Sequence, residues 1–198
     1  MRNRRGQPQH DRHVFDTLVE VLGLTTLTRT DLLVITASNG ENLKLAKRFL
    51  EHAQGLGLNA DLLDLTLLDL PLFTPRTKEQ RIPTAITPLQ AQLLGVPRWV
   101  ICAPEYNGSI PPSLTNAIAW LSVQGDDFRA LFNGRPIAMA TFSGGGGMEL
   151  LVSLRIQLTH LGAQVVGRQL LSNYSKPAQD DSIVDLLQRL QQMEPLQL

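Results

Sequence analysis

Residues 98–122 read RWVICAPEYNGSIPPSLTNAIAWLS. After Arg98 the run WVICA is continuously apolar, rich in β-formers and too short for a helix, which predicts a strand buried on both faces. The Pro- and Gly-bearing PEYNGSIPPS continues neither a strand nor a helix, and Leu114, Ala117, Ile118 and Leu121 then recur at helical spacing. The stretch is therefore one strand–turn–helix unit.

The same unit repeats on both sides. Upstream, LLVITA (Leu32 to Ala37) predicts a first strand, and the helix after it places Leu43, Ala46, Leu50 and Ala53 on one face before Gly55 and Gly57 end it. A second strand is expected from Ala60 to Leu65, followed by the Pro-bearing DLPLFTP and a helix with Thr87 and Pro88 near its start and Gly95 near its end. Downstream, PIAMATF (136–142) predicts a fourth strand, feeding Gly144 to Gly147 and a helix carrying Leu151, Leu154, Leu158 and Leu161. QVVGRQLL (164–171) is expected as the fifth strand, and DSIVDLLQRLQQM as a closing amphipathic helix.

Alternating strands and helices give the α/β class, a three-layer α/β/α sandwich around a five-stranded parallel sheet. Right-handed crossovers that cover both faces require the winding direction to reverse once, which predicts the strand order 2-1-3-4-5. In such a sheet ligands bind beyond the carboxyl ends of the strands at the reversal, between strands one and three. That rule selects three loops, TASNGEN, PEYNGSIPPS and SGGGG.

The first loop offers Thr36, Ser38, Asn39, Gly40 and Asn42 immediately ahead of a helix. Hydroxyls and free N–H groups at the positive end of a helix make a phosphate cradle, although Ser and Asn serve equally as plain helix caps. In the second, Tyr106 supplies a planar face beside Asn107, Gly108 and Ser109, an edge suited to a flat heteroaromatic ring; an ordinary Asn-Gly turn is the other reading. The glycine run after Ser143 lets backbone approach a ligand with N–H groups free to donate, or else serves as a connector. Loops that converge on one sheet edge favour a site over three unrelated connections.

At 198 residues, 43% hydrophobic and 18% charged, the chain is long enough for one domain with a substantial core. Eighteen basic residues balance eighteen acidic ones, so overall charge gives no reason to expect a nucleic acid or an anionic membrane as partner. Cys102 stands alone, which excludes an intramolecular disulfide or a CxxC pair and predicts a buried core residue. No apolar stretch approaches the ~20 residues of a membrane span and no signal-peptide pattern follows Met1, so a cytoplasmic protein is expected. Residues 1–30 read as a basic arm followed by a short helix carrying Val14, Leu18 and Val21, with residues 31–198 as the domain; His10 and His13 lack further ligands for a metal.

The run from Ala103 to Ser122, APEYNGSIPPSLTNAIAWLS, resembles the signature of the NADPH-dependent FMN reductase family, which includes azoreductases, chromate reductases and quinone reductases. The resemblance extends from about Asp31 to Leu171 and takes in DLPLF and the Ser-Gly-Gly loop. It implies a flavodoxin-like subunit, a homodimer or homotetramer, that binds FMN and passes electrons from NADPH or NADH to a small-molecule acceptor. It further implies that Ser38, Asn39, Gly40 and Asn42 hold the phosphate, that Pro104, Glu105, Tyr106, Asn107, Gly108 and Ser109 line the ring, and that Ser143, Gly144, Gly145 and Gly146 close over its other edge. Redox chemistry would belong to the flavin, so no catalytic side chain and no metal is expected.

One departure is visible. Family members carry a longer first loop of the form Gly-Ser-x-Arg-x-x-Ser-x-Asn, whereas Thr36 to Asn42 reads TASNGEN, without the Arg and with Glu41 in place of a hydroxyl. Loss of a charge-assisted hydrogen bond worth about 1.5–3 kcal/mol predicts FMN binding roughly ten- to a hundredfold weaker, unless Lys44 or Lys47 compensates. Two other functions compete. Thr141-Phe-Ser-Gly-Gly145 superficially resembles a nucleophile elbow, but after Ser143 the only histidine, His160, precedes Asp180, Asp181 and Asp185, so the hydrolase order Ser, Asp, His cannot form. A non-catalytic flavin-binding or electron-carrier protein is the alternative with the same fold, though carriers tend to be strongly acidic and this chain is neutral.

Overall fold

The computed structural model describes residues 29–197. The expected N-terminal arm, its helix over Val14, Leu18 and Val21, and the pair His10 and His13 lie outside the described residues.

Strands β1 (Leu32–Thr36), β2 (Ala60–Asp64), β3 (Arg98–Cys102), β4 (Pro136–Phe142), β5 (Gln164–Val165) and β6 (Leu170–Ser172) form one parallel sheet, in the path β2-β1-β3-β4-β5 with β6 also on β4. This is the flavodoxin-like order that the alternation predicts. Thr36, Cys102 and Ala140 share one register line, so the connections after β1, β3 and β4 leave the sheet at the same edge.

Alternate residues of each strand enter opposite cores, as a two-residue period requires. Leu33, Ile35, Trp99, Ile101, Ile137 and Met139 pack with α3 (Ile86–Gly95), α4 (Pro112–Leu121) and α5 (Met148–His160). On the other face Leu32, Val34, Val100, Cys102, Ala138 and Ala140 pack with α1 (Glu41–Gly55) and α6 (Asp180–Gln191). Cys102 is fully buried, and burial pushes its thiol pKa up, away from thiolate chemistry. A short helix between β2 and α3, α2 (Pro75–Gln80), completes the set among the described residues.

Two local expectations are corrected. The fifth strand is not continuous: Ala138 and Met139 of β4 face four residues, 166–169, of the partner, so QVVGRQLL bulges between β5 and β6. Arg155 donates to the Val166 carbonyl at 2.9 Å and to Gln169 Oε1 at 3.0 Å, drawing the bulge out toward α5. The fully buried stripe of α1 runs through Asn42, Leu45, Ala46, Phe49 and Ala53, leaving Leu43 and Leu50 only partly buried at its margin, and α6 packs on the same helix. The Pro-bearing DLPLFTP is held by side-chain bonds on both sides. Thr74 and Thr77 cap α2 reciprocally, Asn116 accepts from Phe73 N–H at 2.8 Å, and Trp120 Nε1 donates to the Pro71 carbonyl at 2.7 Å. Trp120 and Trp99 are core residues, at 0% and 1% exposure.

Candidate functional site

The three loops selected from the sequence meet at the carboxyl edge and are tied to one another by side chains. Asn42 donates from Nδ2 to the Phe142 carbonyl and accepts from the Phe142 N–H, both at 2.8 Å, joining the first loop to the end of β4. Ser113 Oγ donates to the Ala37 carbonyl at 2.7 Å, joining the first loop to the start of α4. Thr141 Oγ1 donates to the Ala103 carbonyl at 2.7 Å, and Glu105 Oε2 accepts from Leu150 N–H at 3.3 Å, fastening the loop after β3 to β4 and α5.

The loop after β3 is a two-residue hairpin. Tyr106 and Ser109 exchange backbone bonds at 3.1 and 3.0 Å across Asn107 (φ 51°) and Gly108 (φ 68°). Positive φ at both central residues is the primed turn that Asn-Gly favours, so the residue choice follows from the backbone. Pro104 is buried beneath the turn, while Tyr106, at 50% exposure, and Asn107, Gly108 and Ser109 present an open surface. Glu105, Tyr106, Asn107, Ile110 and Pro112 line a depression of about 480 Å³ there. Glu105 thus acts as an anchor through its bond to α5.

After β4, Ser143 is buried; its N–H donates to the Ser172 carbonyl at 3.0 Å and its Oγ accepts from Gly145 N–H at 3.3 Å. Gly144, Gly145 and Gly146 are exposed. Gly147 closes the loop at φ 78°, where a Cβ would lie 3.1 Å from Ser143 Cβ and from the Thr141 methyl. The hydrolase reading also fails in space: His160 ends α5, about 18 Å along the axis from its first residue, where it stacks on Phe128.

The first loop keeps its donors unused. Leu43 and Lys44 N–H groups bond the Gly40 carbonyl, but the N–H groups of Asn39, Gly40, Glu41 and Asn42 find no partner among the described residues. Ser38 is 8% exposed, and its hydroxyl likewise makes no hydrogen bond among the described residues. With the positive end of the fifteen-residue α1 behind them, these groups fit a phosphate. Asn42, expected to touch the phosphate, has both ends of its amide on Phe142 and so shapes the cradle instead of filling it. Glu41 stands in the first turn and accepts from Lys44 Nζ at 2.7 Å, a bond that holds the lysine pKa up. Lys47 makes no ion pair among the described residues.

Sequence reasoning missed a fourth segment. Tyr174 meets Phe142 edge-on at 4.9 Å, and Asn173 Oδ1 accepts from Ser175 and Lys176 N–H groups, so residues 173–176 form a turn beside the β4 exit. Its turn-forming Ser-Asn-Tyr-Ser composition, directly after a strand neighbouring β4, is the signal that marks it. A separate cavity of about 200 Å³ lies at the opposite edge, where Leu32 and Arg98 begin their strands, away from these loops. Among the described residues no three His, Cys, Asp or Glu side chains gather as a metal site, and no helix is long and apolar enough to cross a membrane.

Comparison with known proteins agrees with this geometry. Residues 30–176 match the family model of NADPH-dependent FMN reductases. A quinone reductase of Escherichia coli K12 is 35% identical over 106 residues, 52% of this chain and 55% of that protein. The chain thus spans about half the length of the curated relatives it matches. Among solved structures, the flavoenzyme NAD(P)H:(acceptor) oxidoreductase FerB from Paracoccus denitrificans superposes with TM-score 0.64 at 21% identity, over 83% of this chain and 99% of that one. An oxidoreductase from Corynebacterium diphtheriae gives TM-score 0.65 at 16% identity, over 84% and 98%. At that identity these two likenesses show the fold. The family match covers the whole sheet through β6 and all three loops, and the chain belongs to the NADPH-dependent FMN reductase family.

Proposed function

We propose that the protein is an FMN-dependent oxidoreductase that takes electrons from NADPH or NADH and delivers them to a small acceptor such as a quinone, an azo compound, a metal oxyanion or free flavin. The observation that carries this reading is the convergence of the three family loops on one edge, phosphate donors on one side and an open aromatic-lined depression on the other. Bound FMN supplies the hydride chemistry. The chain's own residues position it: Ser38 and the N–H groups of 39–42 face the phosphate, the 104–109 hairpin lines the ring, and the exposed Gly144, Gly145 and Gly146 admit close backbone approach. Among the described residues no charged side chain other than the anchored Glu105 borders the depression, which suits a planar acceptor stacking in place of the departed nicotinamide.

The unit responsible begins at about residue 31, since β1 starts at Leu32. Association into a homodimer or homotetramer, in a cytoplasmic setting, completes the reading: Met148, Val152 and Ile156 recur every fourth residue on the outer face of α5 at 49%, 49% and 65% exposure, an apolar stripe suited to a second subunit. The test is NADPH oxidation followed at 340 nm with FMN and a quinone added. Turnover that requires both supports the enzyme; stoichiometric flavin binding without turnover would instead identify a carrier.

A further inference from the structure

The phosphate end of the site combines features that pull in opposite directions. The Ser38 hydroxyl and the N–H groups from Asn39 to Asn42, none with a hydrogen-bond partner among the described residues, and the start of α1 all favour an anion. Glu41 places a carboxylate in that same first turn, and the nearest mobile cation, Lys44, is already bonded to it at 2.7 Å. Among the described residues no other Lys or Arg pairs with a side chain of this turn: Arg48 is committed to Asp180, at the α6 end. The paired charges cancel, and a dianionic phosphate meets a carboxylate unless Lys44 changes partner.

We infer that Glu41 sets the flavin preference of this protein, holding Lys44 away from the flavin phosphate so that the advantage of FMN over riboflavin rests on the neutral donors alone. The inference rests on the flavin-binding reading above and adds to it a specificity-determining residue. Lys44 is 73% exposed on its side chain and Glu41 37%, so the pair is an exchangeable surface contact and not a locked one. Removing the carboxylate leaves α1 intact, since Gly40 caps it through backbone bonds alone. It also frees Lys44 to reach the phosphate. The plainer role of the pair, support of the first helical turn, would change protein stability and leave the choice between flavins untouched.

Flavin fluorescence quenching with the purified full-length chain, titrated separately with FMN and with riboflavin, reads this directly. In the unaltered protein FMN is expected to bind more tightly than riboflavin by less than about a hundredfold, because neutral donors meet the phosphate and no free cation does. Glu41→Gln is expected to tighten FMN by about threefold to tenfold with riboflavin unchanged, and Lys44→Gln to weaken FMN alone. Rising salt should shrink the gain in Glu41→Gln. A preference for FMN of more than about a hundredfold in the unaltered protein, the size of an uncompensated charge-assisted contact, would overturn the inference. So would a Glu41→Gln effect equal for both flavins. Failure of both flavins to bind overturns the flavin reading itself, a distinct outcome.

Discussion

The loops after β1 and after β3 solve opposite problems on the same sheet edge. Residues 103–113 satisfy themselves: the Tyr106–Ser109 hairpin closes internally, Thr141 holds the Ala103 carbonyl and Glu105 grips α5, so the turn stands in place before any ligand arrives. Residues 37–42 leave four backbone donors and the Ser38 hydroxyl without partners among the described residues and depend on Asn42 and Ser113 for their position. A planar ring needs a rigid wall, which internal bonds supply. A phosphate needs donors that the protein has not already used.

The contrast breaks most severely at Asn42. Asn42→Ala strips partners from both the N–H and the carbonyl of Phe142, each worth about 1–3 kcal/mol when left unsatisfied, so a loss of about 2–4 kcal/mol is expected in a urea titration. Gly147→Ala comes next. Its positive φ and the 3.1 Å approach to Thr141 and Ser143 predict a loss of about 1–3 kcal/mol, whereas Gly145→Ala, with nothing within 4 Å, should leave the melting temperature nearly unchanged. Thr141→Val keeps the shape of a fully buried side chain but removes its bond to the Ala103 carbonyl, a loss of about 1–2 kcal/mol measurable by the same titration.

The smallest effect lies away from both loops. Arg48, at 2.5 Å, and His52, at 2.9 Å, hold the Asp180 carboxyl below its ordinary value, fastening α6 to α1. A depressed carboxylate contributes stability above its unfolded value of 3.8 and loses it as pH falls through the lower folded value. Asp180→Asn should therefore be slightly less stable at neutral pH, with the gap to the unaltered protein closing below pH 3.8 in paired thermal melts.

The order of the sheet was legible because WVICA, LLVITA and PIAMATF are apolar on both faces and each is followed by a helix of clear period. The hairpin was legible for a backbone reason: Asn107 and Gly108 are residue types that tolerate positive φ. Other features depend on contacts far apart in sequence. The role of Asn42 required Phe142, one hundred positions away, and the bulge in the fifth strand required Arg155. Leu45 and Phe49 are the buried centre of the α1 stripe, with Leu50 packed at its margin, because α6, at the far end of the chain, also covers α1. The turn at Asn173 entered the site only once β6 was seen to pair with β4.

Backbone hydrogen exchange with and without saturating FMN reads the loops together. The account predicts slowed exchange in residues 39–42, 105–109 and 144–147 at once, with the depression at Tyr106 included and the cavity bordered by Asp31 and Leu187 unaffected. Slowing confined to that opposite cavity, or no slowing in any of the three loops, would contradict it.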